Sequence, residues 1–124
     1  MRKFLGITLC GLLLIFAGWT APAEAAEQTF KLTNSAPFLI KLRFFSQDRD
    51  VVWPSPNGSW WPLDDNAQHV FKLECNSGEK ICFGGGYQQD DSQRYWGVGF
   101  KGDKGCQDCC RRCQGDSKAW NLVE

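Results

Sequence analysis

The chain has 124 residues, 14 basic and 14 acidic side chains, and 6 tryptophans. Balanced charge with no basic run excludes the electrostatic face that nucleic acid demands, and the length holds one domain. Seven cysteines in so short a chain pose a choice between disulfides and metal, which the compartment decides.

Arg2 and Lys3, the apolar run from Phe4 to Trp19 and the Ala23-Glu24-Ala25 triplet have the order of a signal peptide, residues 1–25, with cleavage after Ala25. The apolar run approaches the length of a membrane span, but Pro22 and the small-x-small site directly behind it favour cleavage. Cys10 lies too early in the run for a lipid-modified amino terminus. The short basic start and alanine-rich end have a bacterial form, which predicts a periplasmic or secreted protein that leaves the membrane once cleaved. Residues 26–124 are then a single domain of about 99 residues. Loss of Arg2, Lys3 and Glu24 from the 14 basic and 14 acidic groups leaves a net charge near −1.

Gln28 to Asn34 alternates polar and apolar, which places Phe30 and Leu32 on one face of a strand. Pro37 interrupts, because proline donates nothing to a ladder. Phe38 to Ser46 resumes with Phe38, Ile40, Leu42 and Phe44 on one side, and Leu39, Lys41, Arg43 and Phe45 on the other. The two runs are expected to form a hairpin. Val51-Val52-Trp53 leads into a proline-punctuated loop with an Asn57-Gly58 turn signal and the pair Trp60-Trp61. Gln68 to Cys75 alternates again, with Phe71 and Leu73 opposing Val70 and Lys72. Asn76 to Glu79 reads as a hairpin turn into Lys80 to Phe83. Gly84-Gly85-Gly86 is foreign to an ordinary strand and predicts a bulge or a close backbone approach. Arg94 to Phe100 reads as a strand, the cysteine-rich segment follows, and Ala119 to Val123 as a short edge strand. The expected fold is mainly β: a small antiparallel sandwich or barrel stapled by disulfides, with a short cysteine-rich helix or loop near the end.

Cys106-x-x-Cys109-Cys110-x-x-Cys113 would suggest zinc or iron–sulfur in a reducing compartment. An exported chain meets oxidising conditions. Its six remaining cysteines, Cys75, Cys82, Cys106, Cys109, Cys110 and Cys113, therefore read as three disulfides, with no metal or other cofactor. Cys75 and Cys82 would share one face of their hairpin, free to join each other or to reach the 106–113 segment. The second arrangement is preferred, and a helical segment would turn all four of its cysteines to one stripe. Adjacent Cys109 and Cys110 do not suit a bond with each other. A redox role for a C-x-x-C pair gains from Arg111 and Arg112, which would lower a thiol's pKa. It loses from the absence of the strand–helix–strand alternation such sites use.

His69 alone would have to centre any histidine-based nucleophilic chemistry, and it lies in an alternating strand with no nucleophile nearby. Asp64-Asp65 and Asp90-Asp91 lack the spacing of a calcium loop. The candidate binding residues are aromatic: Trp53, Trp60 and Trp61 on the rigid loop, with Tyr95 and Trp96 expected near them. Such rings stack on sugars or anchor a protein partner, or else fill a small core.

Phe44-Phe45-Ser46, Val52-Trp53-Pro54, the run Gly78 to Gly84, the run Tyr95 to Gly99 and the paired C-x-x-C motifs together resemble a group of small exported bacterial proteins of uncharacterised function. The likeness spans Phe30 to Cys113 and implies the compartment and domain limits. A fainter likeness to thaumatin-like β-sandwiches rests on Phe30 to Asn34 and Val52-Trp53-Pro54, in a much shorter chain. The function expected is a non-enzymatic binding module of the bacterial envelope, presenting its tryptophan loop to a glycan or a periplasmic protein. The alternatives are an inhibitor or immunity-type protein that blocks a periplasmic enzyme, and a metal-binding protein using the paired C-x-x-C motifs.

Overall fold

The computed structural model describes residues 26–91 and 93–124; the expected signal peptide lies outside them. Nine strands run through these residues: β1 (Ala26–Asn34), β2 (Ile40–Ser46), β3 (Val52–Trp53), β4 (Trp61–Leu63), β5 (Gln68–Cys75), β6 (Lys80–Tyr87), β7 (Tyr95–Gly97), β8 (Cys110–Arg112) and β9 (Lys118–Leu122). They form two sheets. One has the order β5-β1-β9; the other runs β3-β2-β6-β7, with β4 on β2 and β8 on β6.

Alternation dictates what each sheet buries. Phe30 and Leu32 of β1 are fully enclosed, as are Ile40, Leu42 and Phe44 of β2 and Ile81 of β6, with Leu73 almost so. These faces meet across one core, where the Phe30 ring lies 4.8 Å from Phe44 and the Phe44 ring 5.3 Å from Phe71. The molecule is therefore a small β-sandwich, and the edge strand expected near the end is β9. All pairings are antiparallel except β1 with β9. That parallel pair is joined through everything from β2 to β8, as parallel neighbours require a crossover.

Two expected hairpins are not formed. β1 and β2 lie in different sheets, as do β5 and β6. Asn34 explains the first crossing. It is 2% exposed, its Nδ2 donates to the carbonyls of Phe38 and Leu63 at 2.7 and 2.8 Å, and its Oδ1 accepts from Ala36 N at 2.8 Å. This one amide satisfies three backbone groups that a chain leaving a sheet would otherwise strand, and so turns β1 over the core into β2. Glu79 performs the second crossing. Its buried carboxylate accepts from Arg49 Nε at 2.6 Å, Arg49 Nη2 at 2.8 Å, Ser46 Oγ at 2.5 Å and Asn76 N at 2.9 Å. The turn at 76–79 is thereby tied to the β2–β3 turn in the opposite sheet, rather than to β5.

The triple glycine forms no bulge. It continues β6 through its middle, paired with β2 on one side and β7 on the other. The expected close approach is real: a Cβ on Gly84 would lie 2.0 Å from the Gly99 carbonyl oxygen and 2.8 Å from the Phe45 ring. Gly97 opposite has φ +60°, and a Cβ there would lie 2.1 Å from Phe83 O. The glycines thus make a trough that seats the segment after β7 on the outer face of the sheet. Positive φ at Gly97 and Gly99 also ends β7 early, where a strand to Phe100 was expected.

The cysteine-rich segment is loop and strand, with no helix among the described residues, so the single stripe of four cysteines does not exist. β7 pairs only Gly84 to Gly86, which leaves the first half of β6 with an open edge; β8 fills it from Lys80 to Cys82. Backbone groups that would otherwise lack partners draw the segment into extended form. Three disulfides follow: Cys75–Cys113, Cys82–Cys110 and Cys106–Cys109. Both Cys75 and Cys82 reach the 106–113 segment, as preferred from the sequence, though from different sheets rather than from one hairpin. Such a set of bonds belongs to an oxidising compartment. No helix of the described residues is long and apolar enough to cross a membrane.

Candidate ligand-binding cleft

The structure divides the five aromatic candidates. Trp53 on β3 pairs with Phe44, and Trp61 on β4 pairs with Leu42, so both share the inward face of β2. Trp61 packs at 5.8 Å from the Phe44 ring and 5.2 Å from Phe71. Trp53 Nε1 donates to Glu74 O on β5 at 3.2 Å, which bridges the two sheets. These two half-buried rings close one open side of the sandwich. Trp60, also half-buried, precedes β4 and lies outside the packed core. Trp53 and Trp96 do not come together: β2 and β6 stand between β3 and β7, about three strand spacings or roughly 14 Å.

Tyr95 and Trp96 occupy β7 at the far edge. Trp96 faces the same side as Gly85, its ring centred 6.0 Å from Phe38 and its Nε1 donating to Val123 O at 2.8 Å. That bond ties β7 to the end of the other sheet. Tyr95 is 42% exposed. Together with Phe38, Gln93, Arg94, Val123 and Glu124 they line an open cleft of about 340 Å³. Arg94 Nη1 donates to Glu124 Oε1 at 3.1 Å with both side chains more than half exposed. The Arg94 guanidinium also lies 5.4 Å from the Phe38 ring centre. The cleft therefore has Phe38 and Trp96 as its aromatic floor and a charged, hydrogen-bonding rim, while the Tyr95 ring turns to the opposite face of β7, beside Lys104.

Phe38, Arg94 and Glu124 were not legible as site residues. Phe38 reads as one more inward position of a strand. Only Arg94, beside Tyr95-Trp96, carried a local signal.

One aspartate of each acidic pair, Asp65 and Asp91, has an internal use. Asp65 Oδ1 accepts from Ala67 N at 3.0 Å and lies 2.7 Å from His69 Nε2; the histidine bond is the main reason its carboxyl is held below the ordinary range. Asp91 pairs with Lys41 at 2.8 Å, which lowers its carboxyl likewise. Lys41 and Arg43 in turn lie 3.9 and 4.2 Å from the Phe100 ring centre, holding the segment after β7 in its trough. The four sulfurs of the paired C-x-x-C motifs do not converge either, since Cys113 is bonded to Cys75.

Comparison with protein-family models, characterised proteins and solved structures finds no match to this chain.

Proposed function

We propose that the protein is an exported, non-enzymatic binding module of the bacterial envelope that holds a glycan in the cleft between Phe38 and β7. The observation that carries this reading is the meeting of Phe38 and Trp96 in one open cleft of about 340 Å³ beneath the exposed Arg94–Glu124 pair. Sugar rings present flat C–H faces that stack on aromatic rings, and hydroxyls that charged and amide side chains bind. A frame held by three disulfides keeps such a site formed before the ligand arrives, which lowers the entropic cost of binding. The cleft takes the role that the sequence offered to the tryptophan loop, because Trp53 and Trp61 are occupied with the core. The address carried by residues 1–25 supports delivery to the periplasm or beyond.

Calorimetric titration of the oxidised protein with envelope glycan fragments tests this. Arg94→Ala should weaken binding about tenfold, roughly 1.4 kcal/mol, with Tm little changed because the side chain is more than half exposed. Trp61→Ala should lower Tm and leave affinity intact. Glycan affinity unaffected by Arg94→Ala removes the cleft from the reading. Binding of a periplasmic protein alone, lost in the same variant, replaces the glycan with a protein partner and favours the inhibitor alternative.

A further inference from the structure

Two of the three disulfides lie against each other. Cys110 Sγ, bonded to Cys82, lies 3.9 Å from Cys106 Sγ and 3.6 Å from Cys109 Sγ, which are bonded to one another. The sulfurs of Cys82, Cys109 and Cys110 all fall within 4.8 Å. Exposure is graded across this group: Cys106 is open to solvent, Cys110 half-buried, and Cys82 and Cys109 are each 2% exposed. Cys110 also lines a surface depression of about 320 Å³ with Lys80, Arg111 and Arg112. Cations beside a sulfur favour its thiolate and speed exchange. Asp108, within the Cys106–Cys109 loop, is neutralised by Lys118.

From this geometry we infer that the protein is a thiol–disulfide exchange substrate or partner: Cys106–Cys109 is the entry disulfide for an external dithiol, and Cys82–Cys110 receives the exchange from it. The dithiol reduces Cys106–Cys109 to two thiols and is itself oxidised to a disulfide. Cys106, as its thiolate after giving a proton to solvent, attacks Cys110 Sγ. The Cys106–Cys110 bond forms, the Cys110–Cys82 bond breaks, and Cys82 leaves with the electron pair and takes a proton back from solvent. Cys109 is nearer to Cys110 but adjacent in the chain, where an ordinary disulfide does not fit, so Cys106 is the attacking sulfur. Cys75–Cys113 touches none of this and remains the staple. The inference stands apart from the glycan cleft, which lies along β7 at the opposite end of β6 from β8.

The test is partial reduction of the oxidised protein with limiting dithiothreitol, an acid quench, alkylation, and non-reducing peptide mapping by mass spectrometry. The expected product has Cys106 joined to Cys110, Cys82 and Cys109 alkylated, and Cys75–Cys113 intact. A product with Cys106 and Cys109 alkylated and Cys82–Cys110 untouched overturns the inference. As a second measurement, the Cys106→Ser/Cys109→Ser double variant removes the entry pair. Alkylation of Cys82 at a given dithiothreitol concentration should then slow by about tenfold or more. An unchanged rate means that Cys82–Cys110 is reduced directly, and the relay fails.

Discussion

Glu79 is 3% exposed, yet it stays ionised because Arg49, Ser46 Oγ and the Asn76 amide all donate to it. The Arg49 hydrogen bonds are the largest cause, and together these partners hold its carboxyl down to about 2 against an ordinary 4.5. A lowered folded-state pKa means the stabilisation is complete above the ordinary value and is lost as pH falls from about 4.5 toward 2. Its size is about 2 kcal/mol, after allowance for Arg49 being 39% exposed. Thermal melts of the wild type and Glu79→Gln should therefore differ at about pH 6 and converge in acid. Curves that stay parallel down to pH 2 would show that the carboxylate contributes nothing beyond its shape. The sequence gives no warning of this role, since Glu79 reads there as one more polar turn residue.

At the scale of elements, β6 and the segment behind β7 depend on each other. Gly84 has no room for a side chain because the Gly99 carbonyl occupies that space. Gly84→Ala should therefore displace the segment from its trough and lower stability by about 2–4 kcal/mol, read as a fall in chemical-denaturation midpoint. A comparable methyl at Gly78, which meets nothing within 4 Å but has φ +78°, should cost less, about 1 kcal/mol, through backbone strain alone. Equal losses at both sites would mean that the trough is not a tight seat. Alternation made β1, β2 and β5 legible as strands, with Phe30, Leu32, Ile40, Leu42, Phe44 and Leu73 on the faces that are buried, whereas β6 was legible only as far as Phe83. Partner choice was not legible. Whether consecutive strands pair or cross depends on hydrogen bonds that Asn34 donates to Leu63 and that Glu79 accepts from Ser46 and Arg49, residues far along the chain.

For the whole molecule, the disulfides are unequal. Cys75 and Cys113 enclose a separation of 38 residues, and Cys106 and Cys109 only 3. Loop-closure entropy then assigns about 4 kcal/mol to the first and under about 2 kcal/mol to the last. Cys75→Ser/Cys113→Ser should lower Tm strongly, whereas Cys106→Ser/Cys109→Ser should lower it little. The reverse order would refute the assignment of staple and exchangeable pair. The Cys75–Cys113 bond also joins the sheets, since β5 belongs to one and Cys113 directly follows β8 of the other.

Composition and residue order alone settled that this chain is a small, mainly β domain held by disulfides. Alternation is local and is read by neighbours along the chain, and an even set of cysteines carries its own chemical preference in an oxidising space. Tertiary structure alone decided which strands share a sheet, and that Trp53 and Trp61 close the core while Trp96 joins Phe38 in a cleft. It also brought the Cys82–Cys110 bond beside the Cys106–Cys109 bond. Those outcomes turn on contacts between residues tens of positions apart, each chosen by which buried polar group and which apolar ring finds its partner across the sandwich.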